Sequence, residues 1–117
     1  MWKDEATAAD ILLAAKAVQE FVAGMSPEQF LADFKTQCAV LQQIVVLGEA
    51  AKRLSAEFRA RHDPILWDSI AGLRDRCVHG YDQVDLEIIW QVTQEHAPKL
   101  AQYLDGVLPK PPPAEPG

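Results

Sequence analysis

Three side chains with complementary chemistry lie close together in the sequence: Arg74, His79 and Tyr81. Arginine carries a permanent positive charge on a planar fork of donors that matches a phosphate group. Histidine is the side chain that most readily gains and loses a proton near neutral pH. Tyrosine adds a hydroxyl two residues beyond the histidine. Together these groups could bind or cleave a phosphodiester.

The spacing of Arg74 and His79 raises a geometric difficulty. Five residues of an ideal helix turn through roughly 500°, so the two side chains would point about 140° apart and would not share one phosphate. One solution is that the helix ends at His79–Gly80, which frees the imidazole. The other is that a second copy of the chain brings its own motif to the same cleft.

If the phosphodiester belongs to RNA, the substrate supplies its own nucleophile, the 2′-hydroxyl. Cleavage then requires an acid or base, for which we predict His79, and positive charge on the phosphoryl group, for which we predict Arg74. The expected product is a 2′,3′-cyclic phosphate, and no metal or other cofactor is required. Asp75 is expected to orient the arginine or the imidazole, although a carboxylate beside the scissile phosphate also repels it.

Other titratable residues show no pattern of comparable interest. His62 and His96 lack metal-ligand spacing with each other or with His79, so no metal site is predicted. Cys38 and Cys77 lie far apart on apolar patterns, and we predict two core thiols rather than a disulfide. Taken singly, even the histidine and arginine of the motif would have ordinary structural explanations.

Helical periodicity accounts for most of the chain, and no strand-like alternation of useful length occurs. Four helical segments are predicted: residues 4–23, a long helix that begins at Ser26–Pro27 and continues to about residue 61, residues 65–78, and a helix from Asp85 through Leu104. Gly80 suits a left-handed exit from the third helix, and Pro98 should kink or divide the fourth.

These elements predict an all-α fold, an antiparallel four- to five-helix bundle over residues 1–108. Residues 109–117 are rich in proline and are predicted to form a disordered tail. The small residues Gly48 and Ala51 on a bulky stripe allow close approach of another helix, either within the bundle or across a dimer.

Charge is unevenly distributed along the chain. The net charge of −6 argues against indiscriminate binding of nucleic acid. Residues 52–76 nevertheless carry six basic and four acidic side chains, a net charge of +2, and include the motif arginine. No apolar run approaches the roughly 18–20 residues needed to span a bilayer, and no signal peptide is evident. A cytoplasmic protein without a membrane partner is expected.

The motif, Arg followed by four residues, His, any residue and Tyr, resembles the signature of HEPN-domain ribonucleases, particularly HepT-like toxins. Three further features are similar to that family: the Gly-Glu-Ala-Ala segment at 48–51, the Trp-x-x-Ile-x-Gly run at 67–72, and the positions of Asp85 and Trp90. The resemblance covers about residues 10–100. Two positions depart from it, since Asp75 stands where Asn is usual and Leu66 replaces a common proline.

This resemblance implies a homodimeric, metal-independent endoribonuclease whose site forms across the dimer. It further implies a toxin paired with a small nucleotidyltransferase antitoxin, which adenylylates the tyrosine corresponding to Tyr81. The added nucleotide would bring negative charge and bulk to the cleft. The alternative is a non-catalytic helical binding subunit that presents Tyr81 to the nucleotidyltransferase.

Overall fold

The computed structural model describes residues 2–109, apart from the side chains of Trp2 and Tyr81. Over this range the regular structure is entirely helical, which confirms the predicted fold class. The helices are α1 (Trp2–Phe21), α2 (Pro27–Leu31), α3 (Phe34–Arg53), α4 (Ala56–Arg61), α5 (Trp67–His79), α6 (Leu86–Gln91) and α7 (Ala97–Val107), with a 3₁₀ turn at Tyr81–Gln83 and a π-helical turn at Val92–His96. The predicted disordered tail falls outside the described residues from position 110 onward.

Two apolar clusters at opposite ends of the molecule show that the long helices run antiparallel. Each long element begins in one cluster and ends in the other. The order along the chain is Ala8 then Val22 in α1, Val40 then Leu54 in α3, Trp67 then Cys77 in α5, and Ile89 then Leu104 in α6 and α7. Helix α3 packs against both α1 and α5, while α7 packs against α1. The result is an antiparallel bundle of four long helical elements.

The prediction of one long second helix is wrong, because capping side chains divide that segment into α2, α3 and α4. Ser26 and Gln29 form a capping box at the start of α2, as the Ser-Pro pair indicated. Asp33 then accepts a hydrogen bond from the backbone N–H of Thr36 at 3.1 Å and begins α3. Ser55 accepts one from the N–H of Phe58 at 3.0 Å and begins α4. Both caps compete with continued helix at those positions.

The remaining boundaries differ from prediction in smaller ways. Helix α5 begins at Trp67, two residues later than expected, and ends at His79. Gly80 follows it with φ −149°, so the predicted left-handed exit is wrong; the described residue with positive φ is Gly24, in the turn after α1. The predicted division of the fourth helix is confirmed, because Pro98 lies in the first turn of α7, directly after the π turn that separates α7 from α6.

The interior contains one of the two predicted core thiols. Cys77 is buried, whereas Cys38 is exposed on α3, so its assignment to the core was wrong. Trp67 is buried and donates its indole N–H to the His62 carbonyl at 3.1 Å. The His62 ring also hydrogen-bonds to the Tyr103 hydroxyl at 2.9 Å, which gives this histidine a structural role.

Within residues 2–109, no helix is both long enough and apolar enough to span a membrane.

Asp4 ties the start of α1 to the start of α4. Its carboxylate accepts hydrogen bonds from the Ser55 backbone N–H at 2.9 Å and from the Ser55 hydroxyl at 2.7 Å. These hydrogen bonds, the hydroxyl first, lower the pKa of Asp4 below its ordinary value. A lowered pKa stabilises the folded state at higher pH, and this contribution is lost as the pH falls through the folded-state pKa.

We therefore expect Asp4→Asn to lower the thermal unfolding temperature at pH 7. The difference from the wild type should begin to shrink below about pH 4, the ordinary pKa of the carboxyl group, and should disappear as the pH falls through the lowered pKa of Asp4, where the folded wild type also becomes protonated. Scanning calorimetry between pH 7 and pH 3 measures both effects. Asp10→Asn is the control, because Asp10 is exposed and should leave the unfolding temperature unchanged. A pH-independent difference for Asp4→Asn would contradict the assignment.

Candidate active site

Helix α5 carries Arg74, Asp75 and His79, and Gly48 determines how closely α3 approaches it. The Arg74 Cβ and Cγ atoms lie directly over the Gly48 Cα, in the space that a side chain would occupy. A Cβ atom at position 48 would overlap both of them. The sequence alone did not show whether Gly48 allows close packing within the bundle or across a dimer. In the structure, Gly48 allows two helices of the same chain, α3 and α5, to approach closely.

The Arg74 guanidinium is held by two carboxylates. Its Nη2 contacts Glu49 Oε1 at 2.5 Å, and its Nη1 donates to Asp75 Oδ1 at 3.0 Å. The side chain is only 18% exposed, and its Nε is buried without a hydrogen-bond partner. Hydrogen bonds to Asp75 and then Glu49 raise the pKa of Arg74. The guanidinium is therefore a permanent charge, fixed in orientation but partly neutralised.

Asp75 links this arginine to a second cation. Lys52 Nζ, on α3, contacts the same Asp75 oxygen at 2.6 Å. The hydrogen bonds from Lys52 and Arg74 hold the pKa of Asp75 below its ordinary value. Asp75 is thus ionised at neutral pH and cannot supply a proton. Asp75 was expected to orient either the arginine or the imidazole, and in the structure it contacts Arg74.

A cleft of about 630 Å³ opens between α5 and α6, and His79 lies on it. Asp75 and Arg76 also line this cleft, and the imidazole of His79 is exposed. Its apolar wall consists of Leu73, Cys77, Val84, Ile88 and Ile89. Arg74 is not among the described residues that line it, because its side chain turns toward α3. The predicted separation of about 140° between Arg74 and His79 agrees with this arrangement.

The end of α5 at His79 therefore does not bring the two motif residues into one cleft of a single chain. The sequence suggested that the helix end could free the imidazole to reach Arg74. In the described part of the chain, this helix end does not place the two side chains in one cleft. Asp75 is the connection between them, since it contacts Arg74 and also lines the cleft of His79. A second cavity, of about 430 Å³, lies at the opposite end of α5 against Leu66 and Trp67 and contains none of the predicted site residues.

Cys77 contributes to the wall of the cleft and not to its chemistry. Burial raises the pKa of its thiol, and the Arg76 charge acts in the opposite direction. A thiol with a raised pKa stays protonated near neutral pH and is a poor nucleophile. Among the described residues, no three His, Cys, Asp or Glu side chains are grouped as metal ligands.

Tyr81 begins the 3₁₀ turn that follows α5, and the neighbouring Gly80 and Gln83 line the cleft. The Tyr81 side chain lies outside the described part of the structure. Its modification by adenylylation stays a prediction.

Three polar residues of the site were not identified from the sequence. Glu49 and Lys52 lie in the segment whose resemblance was noted, but no chemistry was assigned to them. Lys52 could have been suspected because it lies four residues after Gly48, on the same helix face, which is suited to close approach of another helix. Glu49 gives no such signal, because adjacent residues do not share a helix face. Arg76 could have been found from its position three residues before His79, which places both on one helix face.

Comparison with known proteins supplies the deciding observation for the family. Residues 11–107 match the family described as "Ribonuclease HepT-like". The chain belongs to this family. The HepT-like chain is 36% identical over 91 residues to a protein named "Probable ribonuclease HepT" from Thermococcus cleftensis, covering 78% of this chain and 83% of the relative.

Two further relatives of the HepT-like chain carry ribonuclease names. It is 35% identical over 100 residues to a protein named "Putative RNase" from Caldanaerobacter subterraneus subsp. tengcongensis, covering 86% of this chain and 89% of the relative. It is 33% identical over 99 residues to another "Putative RNase", from Methanocaldococcus jannaschii, covering 85% and 82% of the two chains. No solved structure matches this chain.

Proposed function

We propose that this HepT-like protein is a metal-independent endoribonuclease in which His79 transfers protons and Arg74 stabilises charge on the phosphoryl group. The observation that carries the proposal is the exposed imidazole of His79 on a cleft at the end of α5, in a chain of a ribonuclease family. An accessible imidazole beside a cleft can reach a substrate proton, which is the first requirement of general acid–base catalysis.

The reaction follows from the chemistry of RNA. A base removes the proton of the 2′-hydroxyl, whose oxygen attacks the adjacent phosphorus. The bond from phosphorus to the 5′-oxygen breaks, and that oxygen takes a proton from an acid. The products are a 2′,3′-cyclic phosphate and a 5′-hydroxyl. Negative charge that develops on the phosphoryl oxygens is stabilised by the guanidinium of Arg74, which remains charged throughout.

We further propose that two copies of the chain build the complete site. The support is the separation of Arg74 from the cleft of His79 within one chain. Val78, an apolar residue that is 41% exposed on the helix that carries His79, would be covered by a partner copy. In such a dimer, the histidine of one copy could act with the arginine of the other. Sedimentation equilibrium tests the assembly.

We place the protein in the cytoplasm as the toxin of a pair whose antitoxin is a nucleotidyltransferase that adenylylates Tyr81. The support is the family resemblance of the motif and the position of Tyr81 two residues beyond His79. Attaching a nucleotide there would add phosphate charge beside the cleft and oppose binding of the RNA phosphate. Co-expression of the protein with a candidate nucleotidyltransferase and mass spectrometry of the Tyr81 peptide tests this pairing.

Cleavage of end-labelled RNA in EDTA, with analysis of the product ends, tests the proposed function. We expect cyclic-phosphate ends and rates that do not depend on added metal. The protein preparation must be folded and unmodified at Tyr81, as checked by circular dichroism and intact mass. Intact RNA after incubation with such a preparation would contradict nuclease activity.

One observation favours a second candidate function, a non-catalytic subunit that binds a nucleotidyltransferase. The Arg74 guanidinium is engaged by Glu49 and Asp75, so a phosphate must compete with two carboxylates for it. In this alternative, removal of His79 leaves partner binding intact and has no effect on toxicity. Growth assays of His79→Ala beside the cleavage assay separate the two functions.

Asp75→Asn is expected to increase affinity for RNA several-fold. The substitution removes a negative charge beside the cleft and releases Lys52 from its ion pair. Both changes favour binding of an RNA phosphate, because they make this surface more positive. Its effect on stability should be small, because Asp75 and Lys52 are each nearly half-exposed. Fluorescence anisotropy with labelled RNA at constant salt measures the change.

Asp68→Asn is the matched control for this substitution. Asp68 is an exposed carboxylate in the first turn of the same helix, at the end opposite to His79. It loses the same charge but should change RNA affinity little. Weaker binding by Asp75→Asn than by the wild type would instead show that orientation of Arg74 outweighs the charge of Asp75.

A further inference from the structure

The cleft between α5 and α6 combines features of a ligand site that the proton-transfer chemistry of His79 does not use. Its volume of about 630 Å³ lies within the roughly 300–1,000 Å³ typical of small-molecule sites. Part of its wall is apolar, while Arg76, His79 and Gln83 supply polar groups and Asp75 and Asp85 supply two carboxylates at the same cleft. An apolar surface with a few polar groups around it suits a nucleobase carrying a phosphate.

Arg76 is the cation that accompanies His79 in this cleft. It is exposed and forms no ion pair or hydrogen bond with the described side chains, in contrast to Arg74. Three residues separate it from His79, so the two side chains lie on neighbouring positions of one helix face. Its fork of donors is therefore available for an RNA phosphate without displacing a carboxylate.

The position of His79 restricts what the apolar wall can contact. If the imidazole acts on the 2′-hydroxyl or on the leaving 5′-oxygen, a ribose joined to the reacting phosphate lies beside it. The base on that ribose is covalently held close to the histidine. The apolar wall, formed in part by Val84 and Ile88, is the surface of this cleft on which such a base can be removed from water.

We propose that the cleft binds one nucleotide of the RNA, with its base on the apolar wall and a phosphate on Arg76. Gln83 then lies where its amide, which both donates and accepts hydrogen bonds, can meet the polar edge of the base. This inference rests on the proposed function for the identity of the ligand as RNA. It assigns substrate recognition to Arg76, while Arg74 keeps the role of stabilising charge.

Binding of a non-cleavable RNA tests the phosphate contact independently of catalysis. The probe is a labelled oligoribonucleotide with 2′-deoxy substitutions, whose affinity is measured by anisotropy at several salt concentrations. Loss of one phosphate contact on a single strand should reduce the slope of log affinity against log salt by about 0.7. We expect this reduction for Arg76→Gln. Arg61→Gln, which removes an exposed arginine of α4 outside the cleft, should leave the slope unchanged.

Removal of single bases from the same oligonucleotide tests the apolar wall. An abasic nucleotide at one position should weaken binding to the wild type about 5-fold, the lower end of the effect of losing a base stacked on an aromatic ring, because the described side chains of this wall are not aromatic. Val84→Phe fills the cleft and should abolish that difference. Ile88→Trp provides a second variant, because Ile88 is half-exposed and tolerates a larger side chain. Thermal unfolding followed by circular dichroism verifies that each variant is folded.

The outcomes separate this inference from the proposed nuclease function. An unchanged salt slope for Arg76→Gln, or an abasic penalty that survives in both folded wall variants, overturns the nucleotide subsite even if RNA is cleaved. Absence of any RNA binding overturns it as well. Binding that behaves as expected, without cleavage of ordinary RNA in the parallel assay, supports the subsite and contradicts the nuclease function.

Discussion

Replacing His79 with alanine is expected to lower the rate of RNA cleavage by about 10²–10⁴-fold, the usual contribution of a general acid or base. The fold should be unaffected. His79 is the last residue of α5, and its exposed side chain forms no hydrogen bond with the described residues. Single-turnover cleavage of end-labelled RNA measures the rate, and urea unfolding verifies that stability is unchanged.

His96→Ala is the matched control for this prediction. His96 is also exposed, but it lies in the π turn before α7 and away from the cleft. Its removal should leave the cleavage rate at the wild-type level. Equal rates for the wild type and His79→Ala would refute the catalytic assignment. An equal loss of cleavage rate in both variants would show that the loss does not depend on the position of His79 at the cleft.

The RNA affinity of His79→Ala distinguishes a catalytic role from a role in binding. A residue that acts mainly on the reacting protons should leave the affinity for non-cleavable RNA nearly unchanged while the rate of the bound complex falls. If His79 instead serves mainly to bind the phosphate, affinity should fall in proportion to the rate. Anisotropy and single-turnover rates at saturating protein therefore have to be measured on the same oligonucleotide.

The sequence predicted the helical fold and the end of the site helix because these depend on local signals. Apolar spacing placed the long helices, and the Ser-Pro pair at 26–27 placed the start of α2 within a residue. The breaks before α3 and α4 were missed because the apolar stripe continues past Asp33 and Ser55, and only their hydrogen bonds to Thr36 and Phe58 show that they act as caps. A capping role depends on a backbone conformation that apolar spacing does not reveal.

The separation of the candidate site residues was predictable from the sequence, but most of their contacts were not. Helical geometry correctly separated Arg74 from His79, and the contact of Asp75 with the arginine was one of the two alternatives that were anticipated. The partnership of Arg74 with Glu49 was not, because these residues are 25 positions apart and meet only through the packing of α3 on α5. Arg76 was overlooked for a related reason: only the position of α6 shows that it shares a cleft with His79.

Gly48→Ala is expected to lower both the stability of the fold and the rate of RNA cleavage. In most helix interiors, alanine in place of glycine stabilises by roughly 0.5–1 kcal/mol. At position 48 the added methyl group would overlap the Cβ and Cγ atoms of Arg74 and lie 3.3 Å from the Ile70 carbonyl oxygen. The Arg74 Cβ is fixed to the backbone and cannot rotate away, so α3 and α5 must separate. Overpacking of this kind costs about 1–3 kcal/mol.

Gly72→Ala is the matched control, on α5 itself. Apart from its chain neighbours and the backbone of its own helix, no described atom lies within 4 Å of the Cβ position there. Alanine should therefore have its ordinary helical effect, a gain of up to about 1 kcal/mol. Urea unfolding of both variants compares the free energies directly. The two glycines thus differ in the sign of the expected change, although the substitution is chemically identical.

The cleavage rate of Gly48→Ala separates damage to the fold from damage to the site. The assay is run at a temperature where the unfolding curves show the variant fully folded, so loss of folded protein does not contribute. A further reduction in rate is expected, because separation of the helices moves the Arg74 guanidinium away from Glu49 and alters the orientation that both carboxylates impose. A variant that is less stable yet cleaves at the wild-type rate when folded would show that the close contact at Gly48 supports the bundle alone and that Arg74 does not depend on it.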